Sequence, residues 1–105
     1  MENFGYVFAT KMLVEKRLPV MFMYREESES AGDSGWRFFC GQEDQEYVDN
    51  PTNIAIYDVE TIAGIDGTVL PYLNAPIGSA FERAYPKSAF TRVEDFDFGE
   101  GLDEV

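Results

Sequence analysis

The chain has 105 residues, and its 20 acidic and 8 basic side chains give a formal net charge of −12 with no histidine to adjust it. This length fits one domain, and a hydrophobic content of 45% is enough to fill its core. The absence of histidine excludes every histidine-containing catalytic triad, and a single cysteine, Cys40, excludes intrachain disulfides and cysteine-based zinc sites.

The acidic charge limits the choice of partner. It repels nucleic acid and anionic membranes, because phosphate binding depends on clustered lysine and arginine. It attracts a basic protein, although the same charge can serve solubility alone. The sequence has neither a signal peptide nor a transmembrane stretch, so we expect a cytoplasmic protein with no membrane partner.

The first half of the chain predicts three strands and one short helix. Strand patterns cover residues 4–9, 20–26 and 36–40. Thr10 is placed to cap a short helix that ends before Pro19. Both faces of segment 20–26 are largely apolar, which is typical of a central strand. This segment and 36–40 are expected to pair antiparallel around a long polar loop, residues 26–35.

The second half of the chain predicts shorter elements. Helical turns are predicted near residues 43–47, 59–63 and 68–73, and strands at residues 54–57 and 79–84. We assign residues 1–86 to one domain and residues 87–105 to an acidic C-terminal extension, which we expect to be mobile. The elements together predict an α+β fold: a single domain with an antiparallel sheet of about four strands and short helices packed on one face.

Groups that could carry out catalysis or bind a metal are sparse. Ser34 follows Asp33 but has no histidine as a base, so we expect both side chains to accept backbone N–H groups at a turn before the strand. A pair of loop carboxylates can act in acid–base chemistry or hold a divalent cation, but no calcium-loop or phosphate-loop spacing is present. We therefore predict no metal and no other cofactor. An enzyme that uses Arg25, Glu26 and Asp33 on a charged substrate is a minor alternative.

The aromatic and arginine side chains leave alternatives open. Trp36 is either a core anchor, with its indole N–H on a carbonyl or carboxylate, or a binding residue. Arg25 and Arg37 either pair with an acid such as Asp33 or contact a ligand. Three tyrosines border either a recognition surface or the rim of the core: Tyr47, Tyr57 and Tyr72.

Several segments carry a resemblance to a known family. They are residues 19–26, 33–39, Gly41 with Glu43, Tyr47, 49–51, 56–58, 61–63 and 76–83. The most specific is the motif Asp-Ser-Gly-Trp-Arg-Phe at residues 33–38. Together they resemble the immunity protein 33 domain, a bacterial family formerly of unknown function, over residues 4–83. The resemblance implies protection of a bacterium from a toxin used in competition between bacteria, and it supplies no catalytic residue.

These observations predict an immunity protein that binds a cognate toxin, which we expect to be basic, and neutralises it by occlusion without catalysis. The alternative is a small regulatory or housekeeping binding module of unknown ligand, unrelated to toxins. The predicted toxin-binding residues are Glu26, Glu27, Glu29, Asp33, Glu43, Asp44, Glu46 and Tyr47. The residues assigned to a structural motif are Arg25, Gly35, Trp36 and Arg37.

Overall fold

A computed structural model describes residues 5–94, which form one mixed sheet of six strands with short helices. In chain order the elements are β1 (Tyr6–Thr10), α1 (Lys11–Glu15), β2 (Phe22–Arg25), β3 (Asp33–Phe39), α2 (Gln45–Asp49), β4 (Ile54–Asp58), α3 (Val59–Ile65), β5 (Ala80–Glu82) and β6 (Thr91–Arg92). Two 3₁₀ turns cover Pro51–Asn53 and Gly67–Tyr72. The strand order is β4-β1-β3-β2-β5-β6.

The single α+β domain is confirmed, but the predicted sheet of about four antiparallel strands is wrong in strand number and direction. The described residues contain six strands, and β1 runs parallel to β3 while the other neighbours are antiparallel. The parallel pair arises because the connection through α1 carries the chain past one strand position before β2. The β2–β3 hairpin then brings β3 back into the gap beside β1.

Several local predictions are confirmed. β2 and β3 pair antiparallel as expected, and β2 is an interior strand between β3 and β5. The hydroxyl of Thr10 caps α1 by accepting the Leu13 N–H at 3.3 Å. Predictions for Phe4 and for residues 95–105 lie outside the described residues. Within 87–94, the segment assigned to the extension, Phe90 is 8% exposed and joins the core.

The pairing of β1 with β3 contains a register shift. Tyr6 lies opposite Asp33, but Phe8 lies opposite Arg37, so β3 advances by four residues over the stretch in which β1 advances by two. Gly35 lies in this stretch with φ +92°, and a side chain there would overlap the Glu26 carbonyl oxygen. The shift brings the side chains of Asp33 and Arg37 together.

The core lies on one face of the sheet. Alternate strand positions contribute Val7, Ala9, Met23, Trp36, Phe38 and Phe81. The covering elements on this side, which are α1, α3 and the second 3₁₀ turn with its end, contribute Leu13, Val59, Ile62, Val69 and Leu73. The intervening strand positions point to the opposite face, which we call the open face. No helix within residues 5–94 has the length and apolar character needed to cross a bilayer.

Candidate functional site

A buried arginine in the second half of β3 forms the floor of the open face. Arg37 is 3% exposed, and its two terminal nitrogens donate to the two carboxylate oxygens of Asp33, each at 2.9 Å. Its Nε donates to Oε2 of Glu26 at 2.6 Å, and its guanidinium lies 4.2 Å from the ring centre of Phe8. Because the guanidinium is planar, it can serve both carboxylates and the ring at once.

Asp33 is held in its ionised form by these contacts. The hydrogen bond from Arg37 lowers the pKa of Asp33 from 3.8 to about 2, against the effect of burial. Backbone N–H groups of Glu29 and Gly35 donate to the same carboxylate at 2.7 and 2.9 Å. The prediction that Asp33 and Ser34 accept backbone N–H groups is confirmed, since the Ser34 hydroxyl accepts the Trp36 N–H, but both residues lie within β3 and not at a turn before it. An Asp33 carboxylate with this pKa and these partners is unsuited to general acid or base catalysis.

The other acids of the 26–33 segment lie nearer the surface. The side chain of Glu26 is 23% exposed, and Glu27 and Glu29 are exposed. The segment is tied to β3 by the Ser28 hydroxyl, which donates to the backbone carbonyl of Asp33 at 2.6 Å. Of the predicted binding residues in this segment, three are therefore accessible in some degree, and Asp33 lies beneath them.

The second group of predicted binding residues begins with Glu43, whose carboxylate is a structural clamp. Its Oε2 accepts the Thr10 hydroxyl at 2.6 Å and the Cys40 N–H at 2.9 Å, and its Oε1 accepts the Gly41 N–H at 2.9 Å. Burial raises the pKa of Glu43, but these hydrogen bonds outweigh it and bring the pKa below its ordinary value. Glu43 thus joins the end of β1 to the end of β3.

The remaining residues of this group belong to α2. Asp44 is the N-cap of the helix and accepts the Tyr47 N–H at 2.8 Å. Glu46 is exposed in the first turn, where a negative charge suits the helix dipole. The Tyr47 hydroxyl accepts the Met12 N–H at 2.9 Å and so fixes α2 against α1.

The structure does not bring the two acidic groups into one cluster. The Glu26 N–H donates to the Gly35 carbonyl, whereas Glu43 accepts the Cys40 N–H, so the groups attach to β3 five residues apart. Five residues of a regular strand would span about 16 Å at roughly 3.3 Å per residue, and the register shift between Asp33 and Arg37 makes this stretch shorter. The surface between the two acidic groups is the open face.

The open face is rich in aromatic side chains that are only half-buried. The rings of Tyr24 and Phe39 stack with centroids 5.8 Å apart and planes at 17°, and Phe22 lies 5.9 Å from each. On the β1 side, the rings of Tyr6 and Phe8 are 5.9 Å apart. The strand registers place these rings on the same face as Ile54 and Ile56, of which Ile56 is 57% exposed.

A cleft of about 190 Å³ opens in this face above Arg37. Its lining includes the aromatic side chains Phe8, Tyr24 and Phe39, and the charged side chains Glu26, Glu29 and Arg37. Small-molecule sites usually enclose about 300–1,000 Å³, whereas a cavity of about 150 Å³ accepts a benzene-sized group. The cleft therefore has room for one side chain and too little for a typical metabolite.

A larger hollow of about 510 Å³ lies at the beginning of β2, beside Cys40 and Arg83. Arg83 is committed to internal bonds, because it donates to the Val20 carbonyl at 2.9 Å and pairs with Asp66 at 2.5 Å. Cys40 is 3% exposed, and burial raises the pKa of its thiol, which reduces its reactivity. Arg83 and Cys40 are thus poorly available to a ligand, whereas Gln42 and Glu82, which also line the hollow, are exposed.

Arg25 and Trp36 lie on the core face. Arg25 donates to the backbone carbonyls of Ser34 at 2.9 Å and Ala75 at 2.8 Å, and Trp36 is fully buried with its indole N–H on the Leu73 carbonyl at 3.1 Å. The enzyme alternative requires Arg25 to converge with Glu26 and Asp33, and the structure does not place it there. Within residues 5–94, no group of three or more histidine, cysteine, aspartate or glutamate side chains is placed to hold a metal ion.

The sequence reasoning missed the aromatic side chains of the open face. Their signal was present, because Phe22 and Tyr24 alternate with Met21 and Met23 along one predicted strand. An apolar pattern on both faces was interpreted as burial on both faces. In the structure only the Met23 face of β2 meets the core helices.

The fold and this surface define a class: an acidic α+β domain that presents a half-buried aromatic sheet face with carboxylates at its two ends. The chain belongs to the family of the immunity protein Imm33 domain, whose model matches residues 7–94, or 88 of the 105 residues. A search of curated proteins found no match. A search of solved structures also found none.

Proposed function

We propose that this chain is an immunity protein that binds a cognate toxin and neutralises it by covering it, without catalysing a reaction. Membership of the Imm33 family is the observation that carries the proposal. The described geometry supports it, because Arg37, Asp33 and Glu26 at the open face are engaged with one another and form no arrangement of nucleophile and base.

The charge of the chain favours a basic toxin. Residues 1–4 hold one acid and residues 95–105 hold five acids and no base, so residues 5–94 carry −6 of the total −12. Opposite charge raises the rate of encounter between partners and selects against acidic ones. We propose that Glu26, Glu27 and Glu29 at one end of β3 contribute to this attraction.

The second acidic group contributes in the same way through its exposed members. Asp44 and Glu46 lie on the surface, whereas Glu43 and Tyr47 hold the chain in place through the hydrogen bonds described above. Protein interfaces combine a central apolar or aromatic patch with a polar rim. An aromatic face between two acidic groups matches that arrangement.

The test is a binding measurement with the purified toxin encoded next to this gene. We expect a dissociation constant below 1 μM at low salt and a weakening of at least about tenfold between 50 and 500 mM salt, because exposed charge pairs are screened. Co-expression of the chain should restore growth of cells that make the toxin. Absence of binding at micromolar protein, or an affinity indifferent to salt, would refute the mechanism.

The alternative is a regulatory or housekeeping module that binds a small ligand. It is favoured by one observation, the hollow of about 510 Å³, whose volume falls within the range of small-molecule sites. Two findings together would favour this alternative over the toxin. One is the absence of a toxin gene beside this gene, and the other is a small ligand that shifts the NMR resonances of Cys40 and its neighbours.

A further inference from the structure

We propose that the cleft in the open face is the central contact of the interface and receives one cationic side chain, an arginine or a lysine, from a basic protein partner. This inference rests on the proposed function, since it names the chemistry by which the partner is recognised.

The first argument is the size of the cleft. A volume of about 190 Å³ exceeds the roughly 150 Å³ that accepts a benzene-sized group and falls short of the 300 Å³ at which small-molecule sites begin. One long side chain fits this space. The cleft also opens on a half-buried face, so a side chain projecting from another protein can enter it.

The second argument is the charge around the cleft. Glu26 and Glu29 line it, and Asp33 lies beneath it, against the single guanidinium of Arg37. Three carboxylates and one cation leave a local charge of −2. An additional cation in the cleft would compensate this charge, whereas an anion would meet repulsion.

The third argument is the aromatic wall. Tyr24 and Phe39 stack at 5.8 Å and line the cleft together with Phe8. A guanidinium or ammonium group is attracted to the face of such rings. Arg37 already makes this contact with Phe8 at 4.2 Å. The cleft therefore offers an entering cation both a carboxylate and a ring face.

The fourth argument is position. The cleft lies between the acidic segment 26–33 and the end of β3 where Glu43 is bound. A partner that spans both acidic groups must pass over it. Residues at the centre of an interface, shielded from water by their surroundings, contribute most of the binding energy.

The first experiment tests the cleft without any toxin. N-acetyl-argininamide is titrated into the isotope-labelled full chain, with the neutral analogue N-acetyl-citrullinamide as the matched control. We expect saturable shifts of the Tyr24 and Phe39 ring resonances and of the Arg37 Nε–H, with a dissociation constant in the millimolar range. The neutral analogue should bind at least tenfold more weakly. Equal responses to the two compounds, or shifts confined to other surfaces, would overturn the inference.

The second experiment uses the toxin encoded next to this gene and two pairs of variants. Glu29→Gln removes a charge at the cleft, and Glu60→Gln removes one from an exposed position on α3. Tyr24→Leu removes a ring from the cleft wall, and Tyr85→Leu removes one that is 72% exposed. We expect each cleft variant to weaken binding at least tenfold and each control to change it less than twofold. Unfolding midpoints establish that all four variants are folded.

The outcomes separate the inference from the proposed function. If the toxin binds the wild type and the cleft variants equally, the inference is overturned and the proposed function stands. If the toxin does not bind the wild type, the proposed function fails. In that case the argininamide titration alone decides whether the cleft recognises a cation.

Discussion

Replacement of Asp33 by asparagine isolates the contribution of the buried ion pair to stability. Asp33→Asn keeps the size of the side chain but removes the charge that faces Arg37 and turns an amide group towards hydrogen-bond donors. The difference between a pKa of 3.8 in the unfolded chain and about 2 in the folded chain corresponds to about 2.5 kcal/mol. Breaking a buried pair usually costs about 3–5 kcal/mol, so we expect a loss of about 3 kcal/mol at pH 7.

The pH dependence of this loss has a definite sign. Because folding depresses the pKa of Asp33, its stabilisation is fully present above pH 3.8 and disappears as the pH falls through about 2. At pH 3 the same two pKa values leave about 1.3 kcal/mol of the 2.5 kcal/mol. The difference in stability between wild type and Asp33→Asn should therefore shrink by about 1 kcal/mol between pH 7 and pH 3.

The assay is urea unfolding of both proteins at several pH values, followed by the fluorescence of Trp36, the only tryptophan. The control is Asp58→Asn, at an exposed aspartate whose side chain makes no capping hydrogen bond, and we expect it to change stability by less than about 0.5 kcal/mol. Direct titration of the Asp33 carboxyl carbon by NMR should give a midpoint near 2. A midpoint near 3.8, or a loss of stability that is the same at pH 7 and pH 3, would refute the reasoning.

Three further predictions concern single positions. Gly35→Ala should lower the free energy of unfolding in urea by more than about 2 kcal/mol, because a methyl group at φ +92° would overlap the Glu26 carbonyl. Gly64→Ala, where the space is open, should instead stabilise α3 by up to about 1 kcal/mol, and equal effects of the two substitutions on stability would contradict the geometry. Thr10→Ala should cost about 2 kcal/mol, since it removes a helix cap and a hydrogen bond to a carboxylate, and a loss below about 0.5 kcal/mol would contradict both roles. The Cys40 thiol should react with a thiol reagent at least tenfold more slowly in the folded chain than in urea, and equal rates would show that the thiol is accessible.

Local patterns in the sequence predicted most of the elements. The pair β2–β3 was predictable because two apolar runs flank one polar loop, and the cap at Thr10 was predictable because a hydroxyl precedes a helical pattern. Strand β6 was not predictable, because Thr91 and Arg92 are both exposed and show no alternation of apolar and polar residues. Two such residues become a strand only because β5 offers an unpaired edge.

The candidate site was predictable only in part. Sequence identified the acids at both ends of β3, but it could not tell that Asp33 and Glu43 direct their oxygens inward. Nor could it place Phe8 beside Arg37, since that contact depends on parallel pairing between residues 29 positions apart. Side chains that share a face only after distant strands pair leave no local pattern.

The position of β1 in the sheet also governs the order in which the chain can assemble. Residues paired between β2 and β3 are separated by as few as 11 positions, from Arg25 to Trp36, whereas β1 pairs with β4 across as many as 52, from Tyr6 to Asp58. Closing a short loop costs less entropy than closing a long one. During synthesis, β1 can therefore pair along both of its edges only after residue 58 has been made, and the β2–β3 hairpin is the natural nucleus.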